Sequence, residues 1–312
     1  MIWKSIGLIF SKKNFQQWNK THAWVPTPII IKDDRVRVFF AGRDISNHSN
    51  VSYFDISLKK PTNILKIAKK PVLQKGLLGC FDDCAVIPSQ IIKYKNKFYM
   101  YYIGWTGGVS VPYIASIGLA ISSSLDDNFV RYSHAPIIGR SSSDPIFTAS
   151  CFVTRKNKKF TMIYTSNKSW KKKSFFVPDY GLKYCHSADA IHWKPTSKTV
   201  LRKNSTKEIA ITRPWLVQLD KKNFLFYSYK NYANKGRNYK IGFAEEKNNS
   251  FVRKDKHIKI LNAKDSFDKN MQEYSSIVEY ENHFYMFYNG NNYGEEGVGL
   301  AVISKDNFLK KE

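Results

Sequence analysis

With 312 residues, 43% of them apolar and 15% aromatic, the chain can bury its own core as one large all-β domain or two average ones; its four cysteines show no CxxC pairing and build neither a disulfide scaffold nor a metal knuckle. The formal charge of +25 comes from 40 Lys against 10 Arg spread along the sequence without a helix-turn-helix, zinc-finger or RNA-binding signature. That pattern argues against nucleic acid and leaves a Lys-rich solvated exterior, or attraction to an anionic donor or a membrane surface.

In chain order, the first apolar segment is Ile6–Ser11 (IGLIFS), too short for a membrane span and followed by no small-residue cleavage site. Together with Cys80, Cys84, Cys151 and Cys185 read as free thiols, it leads to an expected cytoplasmic location, with contact at the periphery of a membrane as an option. Next comes an aromatic run, Arg37–Asp44 (RVFFAGRD), which recurs as Phe98–Trp105, Phe160–Asn167, Phe224–Lys230 and Phe284–Asn291. Aligning Phe40, Tyr102, Tyr164, Tyr227 and Tyr288 gives spacings of 62, 62, 63 and 61 residues. A short apolar strand and a polar turn precede every run, such as Ile91-Ile92 before Lys95-Asn96-Lys97, and this is a hairpin signature. A third strand of similar wording follows most hairpins: IGLAIS (Ile117–Ser122), GLKYCHS (Gly181–Ser187), IGFAEE (Ile241–Glu246) and VGLAVIS (Val298–Ser304).

Five such units of three to four antiparallel strands predict an all-β fold, a five-bladed β-propeller spanning residues 1–312 as a single domain, in preference to an open solenoid. Ile6–Ser11 has third-strand wording but no hairpin before it, so it is expected to close the ring by joining the C-terminal blade. Lys168–Lys173 (KSWKKK) is expected to be an exposed loop.

Inner strands of a propeller line its channel, so residues at their starts converge on one funnel. Those residues are His22 and Trp24; Asp82 and Asp83; Asp144; Glu208 and Arg213; and Asp265, Asp268 and Glu273. Acids recurring there either cap turns or supply the paired carboxylates that glycosidic cleavage needs. Trp24, Trp105, Trp170 and Trp215 are candidate platforms for a sugar face, with Trp215 and the tyrosines also candidates for core. Scattered histidines and the absence of a Cys/His cluster predict no metal site beyond a Ca²⁺ on the acids, and no glycine-rich nucleotide loop or other cofactor motif occurs.

The repeats, with Ser141-Ser-Ser-Asp-Pro145, Thr212-Arg-Pro-Trp215, Phe267-Asp268, Glu273-Tyr274 and Tyr288-Asn-Gly-Asn291, resemble the five-bladed arabinanase, levansucrase and invertase superfamily, which holds the family-43 and family-32 glycoside hydrolases. The resemblance implies that Asp144 orients sugar or tunes an acid, with Ser143 where the motif has Arg. It makes Glu208 the candidate general acid and Asp83 the candidate base. His22, Trp24, Asp82, Trp105, Arg213, Asp268, Glu273 and Asn291 become candidate contacts to an oligosaccharide or glycoconjugate. His22–Pro28 carries no acid where that superfamily places its nucleophile or base. Three functions follow: a glycosidase with paired carboxylates, a transferase or phosphorylase using a phosphorylated donor held by cations such as Arg213 and Arg43, or a glycan-binding propeller without catalysis. A carboxylate pair across the funnel would favour the first, and Arg and Lys around a deep pocket the second.

Overall fold

A computed structural model describes residues 1–232, 239–261, 266–308 and 310. Strand β1 (Ile2–Ser11) precedes five antiparallel meanders. The first unit is β2 (Thr21–Lys32), β3 (Arg35–Arg43), β4 (Ser49–Ser57) and β5 (Lys60–Ile67). The second is β6 (Ala85–Tyr94), β7 (Lys97–Gly107), β8 (Tyr113–Ser122) and β9 (Val130–Arg131). The third is β10 (Phe147–Lys156), β11 (Lys159–Lys172), β12 (Phe176–Ser187) and β13 (Lys194–Thr199). The fourth is β14 (Glu208–Leu219), β15 (Lys222–Asn231), β16 (Lys240–Lys247) and β17 (Ser250–Arg253). After β18 (Lys259–Leu261), the fifth is β19 (Glu273–Tyr280), β20 (His283–Asn289) and β21 (Gly297–Ser304). Its fourth strand is β1, antiparallel to β21 from Lys4↔Val302 to Ser11↔Gly297, as the wording of Ile6–Ser11 predicted.

The polar turns fall where the hairpin signature placed them. Lys95-Asn96, Asn157-Lys158 and Asp220-Lys221 have positive φ at both central residues, the backbone of a two-residue turn whose twist matches that of the strands it joins. Lys168–Lys173 is not a loop as a whole: β11 and β12 run on past the usual length, pairing as far as Lys172↔Phe176, so Lys168–Lys172 is strand and Lys173 begins the turn.

The aromatic runs are apolar on both faces because each unit is packed between two others. In β7, Met100 and Tyr102 enter a core shared with the first unit, while Tyr99 and Tyr101 enter one shared with the third. Similar cores join the third unit to the fourth, the fourth to the fifth, and the fifth to the first, the last through Phe40, Phe54, Phe287, Leu300 and Phe10 of β1. Hydrogen bonds between the starts of successive units repeat the sequence period. Thr27 donates to the Pro88 carbonyl, Ser89 to Cys151, Gln90 to Val153 and Trp215 to Ile277, at separations of 61, 62, 63 and 62 residues. Ser276 donates to the Pro26 carbonyl, and Asn289 to Ala23, so the last unit is bonded to the first.

Candidate active site

Each of β2, β6, β10, β14 and β19 carries a register shift near its start, at Trp24/Thr27, Pro88/Gln90, Ala149/Cys151, Thr212/Trp215 and Glu273/Ser276. A bulge bends its strand and re-aims the neighbouring side chains. Three of these bends hold a non-glycine residue at positive φ: Val25 at 55°, Arg213 at 54° and Tyr274 at 55°. Left-handed backbone is uncommon for such residues and out of place for a β-branched valine, and it persists only where its surroundings enforce it. All three line one cavity of about 290 Å³.

Rings form the cavity wall. Trp24 meets Trp105 edge-on at 5.4 Å, Trp105 stacks on Tyr113 at 4.4 Å, and Tyr113 meets Trp170 edge-on at 5.3 Å. Tyr180, Tyr239, Tyr274 and Phe147 continue the wall, and the Tyr180 and Tyr239 hydroxyls bond to each other. Charge in the wall is of one sign. Arg43 lies 4.8 Å over the Trp24 ring and Lys230 4.5 Å over Tyr239, while Arg213 completes the set. Among the described residues no carboxylate lines the cavity.

Arg213 is the most constrained of the three cations. It is 1% exposed, and its guanidinium donates to the Ser89 carbonyl, the Pro26 carbonyl at 2.9 Å and Thr27 Oγ1 at 3.0 Å. Those partners are all neutral, and Nε has none among the described residues. Burial pulls its pKa down to about 9, with Cys151 and Tyr274 opposing. Burial likewise lowers Lys230 to about 8 against the pull of Glu273, and lowers Arg43. Glu273 sits behind this wall, fully buried, with neither oxygen in a well-formed hydrogen bond. Burial pushes its carboxyl well above the ordinary range, only partly offset by Lys230 and Tyr274.

The other sequence candidates lie elsewhere. Asp144 is wholly buried and accepts hydrogen bonds from Tyr164 at 2.9 Å, Lys183 at 3.0 Å and Ser166. Burial alone would raise its pKa, but the bonds from Ser166, Lys183 and Tyr164 outweigh it and leave the pKa below its ordinary value. Asp82 accepts from Tyr102 at 3.0 Å and Arg131 at 2.8 Å, and Asp268 from Tyr288 at 2.8 Å. Each of these three acids is 20 residues before its tyrosine. In the fourth unit Tyr227 bonds Asp255 instead, 28 residues downstream. The repeated acids therefore clamp the second strand of the second, third and fifth units. The tyrosine ring crosses the third strand to reach its acid, and Gly118 and Gly242 make room: a Cβ there would lie 2.3 Å from Tyr102 and 2.2 Å from Tyr227. The third unit has Lys183 at that place, which pairs with the acid. The first unit has Phe40 opposite Ser52, with no hydroxyl to satisfy.

Glu208, expected as the general acid, is 3% exposed, lies outside the cavity lining and is held in a two-pronged ion pair with Arg253 at 2.7 and 2.8 Å. Asp83, expected as the base, is half-buried in the connection before β6 and accepts from the Gly79 amide at 3.0 Å; it lies outside the cavity lining. His22 is buried beside Trp24, lowered to about 4 by burial and then by Arg43. Asn291 holds the backbone amides of Asn270 and Met271 at 2.9 and 3.1 Å rather than facing the cavity. Trp24, Trp105 and Arg213 do line it, as does Trp170, while Trp215 is core. Asp265 lies outside the described residues. Lys230, Tyr180 and Tyr239 escaped the sequence reading, and Tyr274 entered it only within the Glu273-Tyr274 motif, since a tyrosine lining the cavity and one in the core have the same local wording. Among the described residues no group of three or more His, Cys, Asp or Glu is placed to hold a metal ion.

No protein-family profile matches the chain. It is 30% identical over 306 residues, 97% of its own length and 99% of the relative's, to the "Uncharacterized protein Rv1502" of Mycobacterium tuberculosis. In structure it is similar to a glycoside hydrolase with 14% identity, covering 96% of this chain and 90% of that one at a TM-score of 0.75. A member of the GH130 family, described as mannoside phosphorylases that include glycoside hydrolases targeting β-1,2 mannosidic linkages in Candida mannan, matches at 17% identity, 95% and 88% coverage and a TM-score of 0.70. The GH32 β-fructofuranosidase of Bombyx mori matches at 13%, 90% and 61%, with a TM-score of 0.62. The chain therefore belongs to the family of the mycobacterial protein Rv1502 and shares its all-β fold with these glycoside hydrolases.

Proposed function

We propose that the five units close into a five-bladed propeller and that its axial cavity breaks or forms a glycosyl–phosphate bond, by transfer from a phosphorylated sugar donor to an acceptor hydroxyl or by phosphorolysis of a glycoside to a sugar phosphate and a free hydroxyl. Ring closure is supported by the cores between all successive units and by the bonds from Ser276 and Asn289 back to β2. The observation that carries the functional reading is Arg213, a fully buried guanidinium with only neutral partners, in a cavity that also presents Lys230 and Arg43. An unpaired buried charge costs several kcal/mol, and a bound anion relieves that cost. Trp24, Trp105, Tyr113 and Trp170 supply flat apolar faces for a sugar ring. Cations at the site of a departing or attacking phosphate stabilise its charge without the carboxylate pair that hydrolysis uses. A fold neighbour described among mannoside phosphorylases is consistent with this chemistry.

The test pairs glycosyl phosphates, sugar nucleotides and phosphate-dependent cleavage of oligosaccharides with phosphate-free chromogenic glycosides. The expected result is turnover only where phosphate is donor or acceptor, lost in Lys230→Met and Arg43→Met. Hydrolysis of a chromogenic glycoside, independent of phosphate and surviving Lys230→Met, would return the chain to the hydrolases.

A further inference from the structure

The strands reach the cavity with one set of connections and turn back at the other end with another, and the two sets differ in chemistry. At the far end the turns between the first two strands of each unit are Asp33-Asp34, Lys95-Asn96, Asn157-Lys158, Asp220-Lys221 and Glu281-Asn282, with no large apolar side chain in the turns themselves; Ile30 and Ile31 at the end of β2 are 39% and 37% exposed, and Val130 of β9 is 70% exposed. At the cavity end, the β3–β4 connection that follows the cavity residue Arg43 exposes Ile45 at 83%. The β7–β8 connection, which leads into the cavity residues Pro112 and Tyr113, exposes Val109 completely. Leu77 and Leu78, 65% and 95% exposed, stand in the connection before β6, whose last residue, Cys84, bonds the backbone of Ser49 and Trp105 beside those two connections. Further round, Phe175 of the β11–β12 connection stacks on Tyr232 of the β15–β16 connection at 5.3 Å.

Four apolar side chains standing out into water around one opening have no role in the core. The lysines of the β11–β12 hairpin, at the same end of the molecule, have none in ion pairing: Lys168, Lys171, Lys172 and Lys173 are exposed and make no ion pair among the described residues, although Lys173 lies over the Tyr232 ring at 4.7 Å. Of the acids at this end, Asp44 is engaged by the Ser46 and His48 amides, Asp83 by Gly79, Asp179 by Lys203 and Glu295 by Lys12, while Glu296 is exposed and makes no ion pair among the described residues. Exposed Leu, Ile and Val flanked by unpaired Lys, on a chain of charge +25, match a bilayer surface, where apolar tips enter the acyl boundary and ammonium groups meet anionic headgroups.

We propose that the cavity end of the molecule docks on an anionic lipid bilayer, with Ile45, Leu77, Leu78 and Val109 entering the interface and Lys168, Lys171, Lys172 and Lys173 contacting headgroups. This orientation turns the cavity mouth toward the membrane, where a sugar phosphate carried on a lipid would be presented. Docking is independent of the cavity's chemistry and is measured without any sugar.

The full-length protein is sedimented with phosphatidylcholine vesicles, with and without phosphatidylglycerol. Binding is expected only with the anionic lipid and weakens as salt rises. Replacing the four lysines by Glu weakens it about 100-fold or more, and Leu78→Ser with Val109→Ser weakens it about tenfold or more. Lys95→Glu with Lys158→Glu and Lys221→Glu, at the far end, leaves it within about twofold. No binding to anionic vesicles would overturn the proposal, as would binding lost equally by the far-end variant or unaffected by the apolar one. Thermal melts establish that each variant is folded.

Discussion

The Tyr164 hydroxyl donates to Asp144 Oδ2 at 2.9 Å, across 20 residues of chain, in a site closed to solvent. The same pairing at the same separation joins Tyr102 to Asp82 and Tyr288 to Asp268. An acid that recurs because a tyrosine recurs is part of the frame of the fold, and its removal is expected to act on stability.

Tyr164→Phe removes one charge-assisted bond and is expected to cost about 1–3 kcal/mol. Asp144→Ala also strands the Lys183 ammonium and is expected to cost about 3–5 kcal/mol. Urea unfolding measures both, and the folded fraction of Tyr164→Phe is expected to keep its turnover number. A catalytic part for Asp144 would instead appear as loss of turnover in a stable Asp144→Asn protein.

The first unit provides the converse experiment. Phe40 has no hydroxyl, and there is no acid 20 residues before it, where the sequence has Lys20. Phe40→Tyr buries a hydroxyl with no carboxylate to receive it, and is expected to destabilise by about 1–3 kcal/mol in urea. An unchanged midpoint would mean that Ser52 or water satisfies the new group.

Glu208 and Arg253 are expected to behave as a structural pair. Glu208→Gln leaves Arg253 with Asp255 as its remaining charged partner, so the cost in urea falls below that of Arg253→Met, which strands both Glu208 and Asp255 and is expected to cost about 3–5 kcal/mol. Their double variant should be less destabilised than the sum of the singles.

Two groups set opposite pH responses. His22 is held at about 4 when folded against 6.5 when unfolded, so the unfolded chain takes up its proton first as pH falls. Stability therefore declines between about pH 6.5 and 4, and His22→Gln should reduce that slope in denaturant titrations. Lys230 titrates at about 8, and an anion in the cavity needs it charged. Affinity for a sugar phosphate is expected to fall as pH rises through about 8, by more the further the bound anion raises the lysine's pKa. Lys230→Met should show weak binding with no such fall.

The fold was legible because its signal is periodic. The aromatic runs at 61 to 63 residues, the polar turns and the third-strand wording of Ile6–Ser11 each report backbone pairing, which local sequence dictates. The cavity was legible only in part. Trp24, Trp105, Trp170 and Arg213 stand out by residue type, but Asp82, Asp144 and Asp268 stand out equally. What separates them is a bond to a tyrosine on another strand, visible in the sequence only as a spacing of 20 repeated in three units. Lys230 is one of 40 lysines, and nothing local marks it as the one that burial lowers.

Three tryptophans, Trp24, Trp105 and Trp170, line the cavity, so their fluorescence reports its occupancy directly. The most direct measurement is a fluorescence titration of the protein with a panel of sugar 1-phosphates and the corresponding neutral sugars, repeated with Lys230→Met. Saturable change with a sugar phosphate, at least about tenfold tighter than with its neutral sugar and weakened in the variant, is the predicted result. Equal affinity for the neutral and phosphorylated forms, untouched by Lys230→Met, would contradict the account.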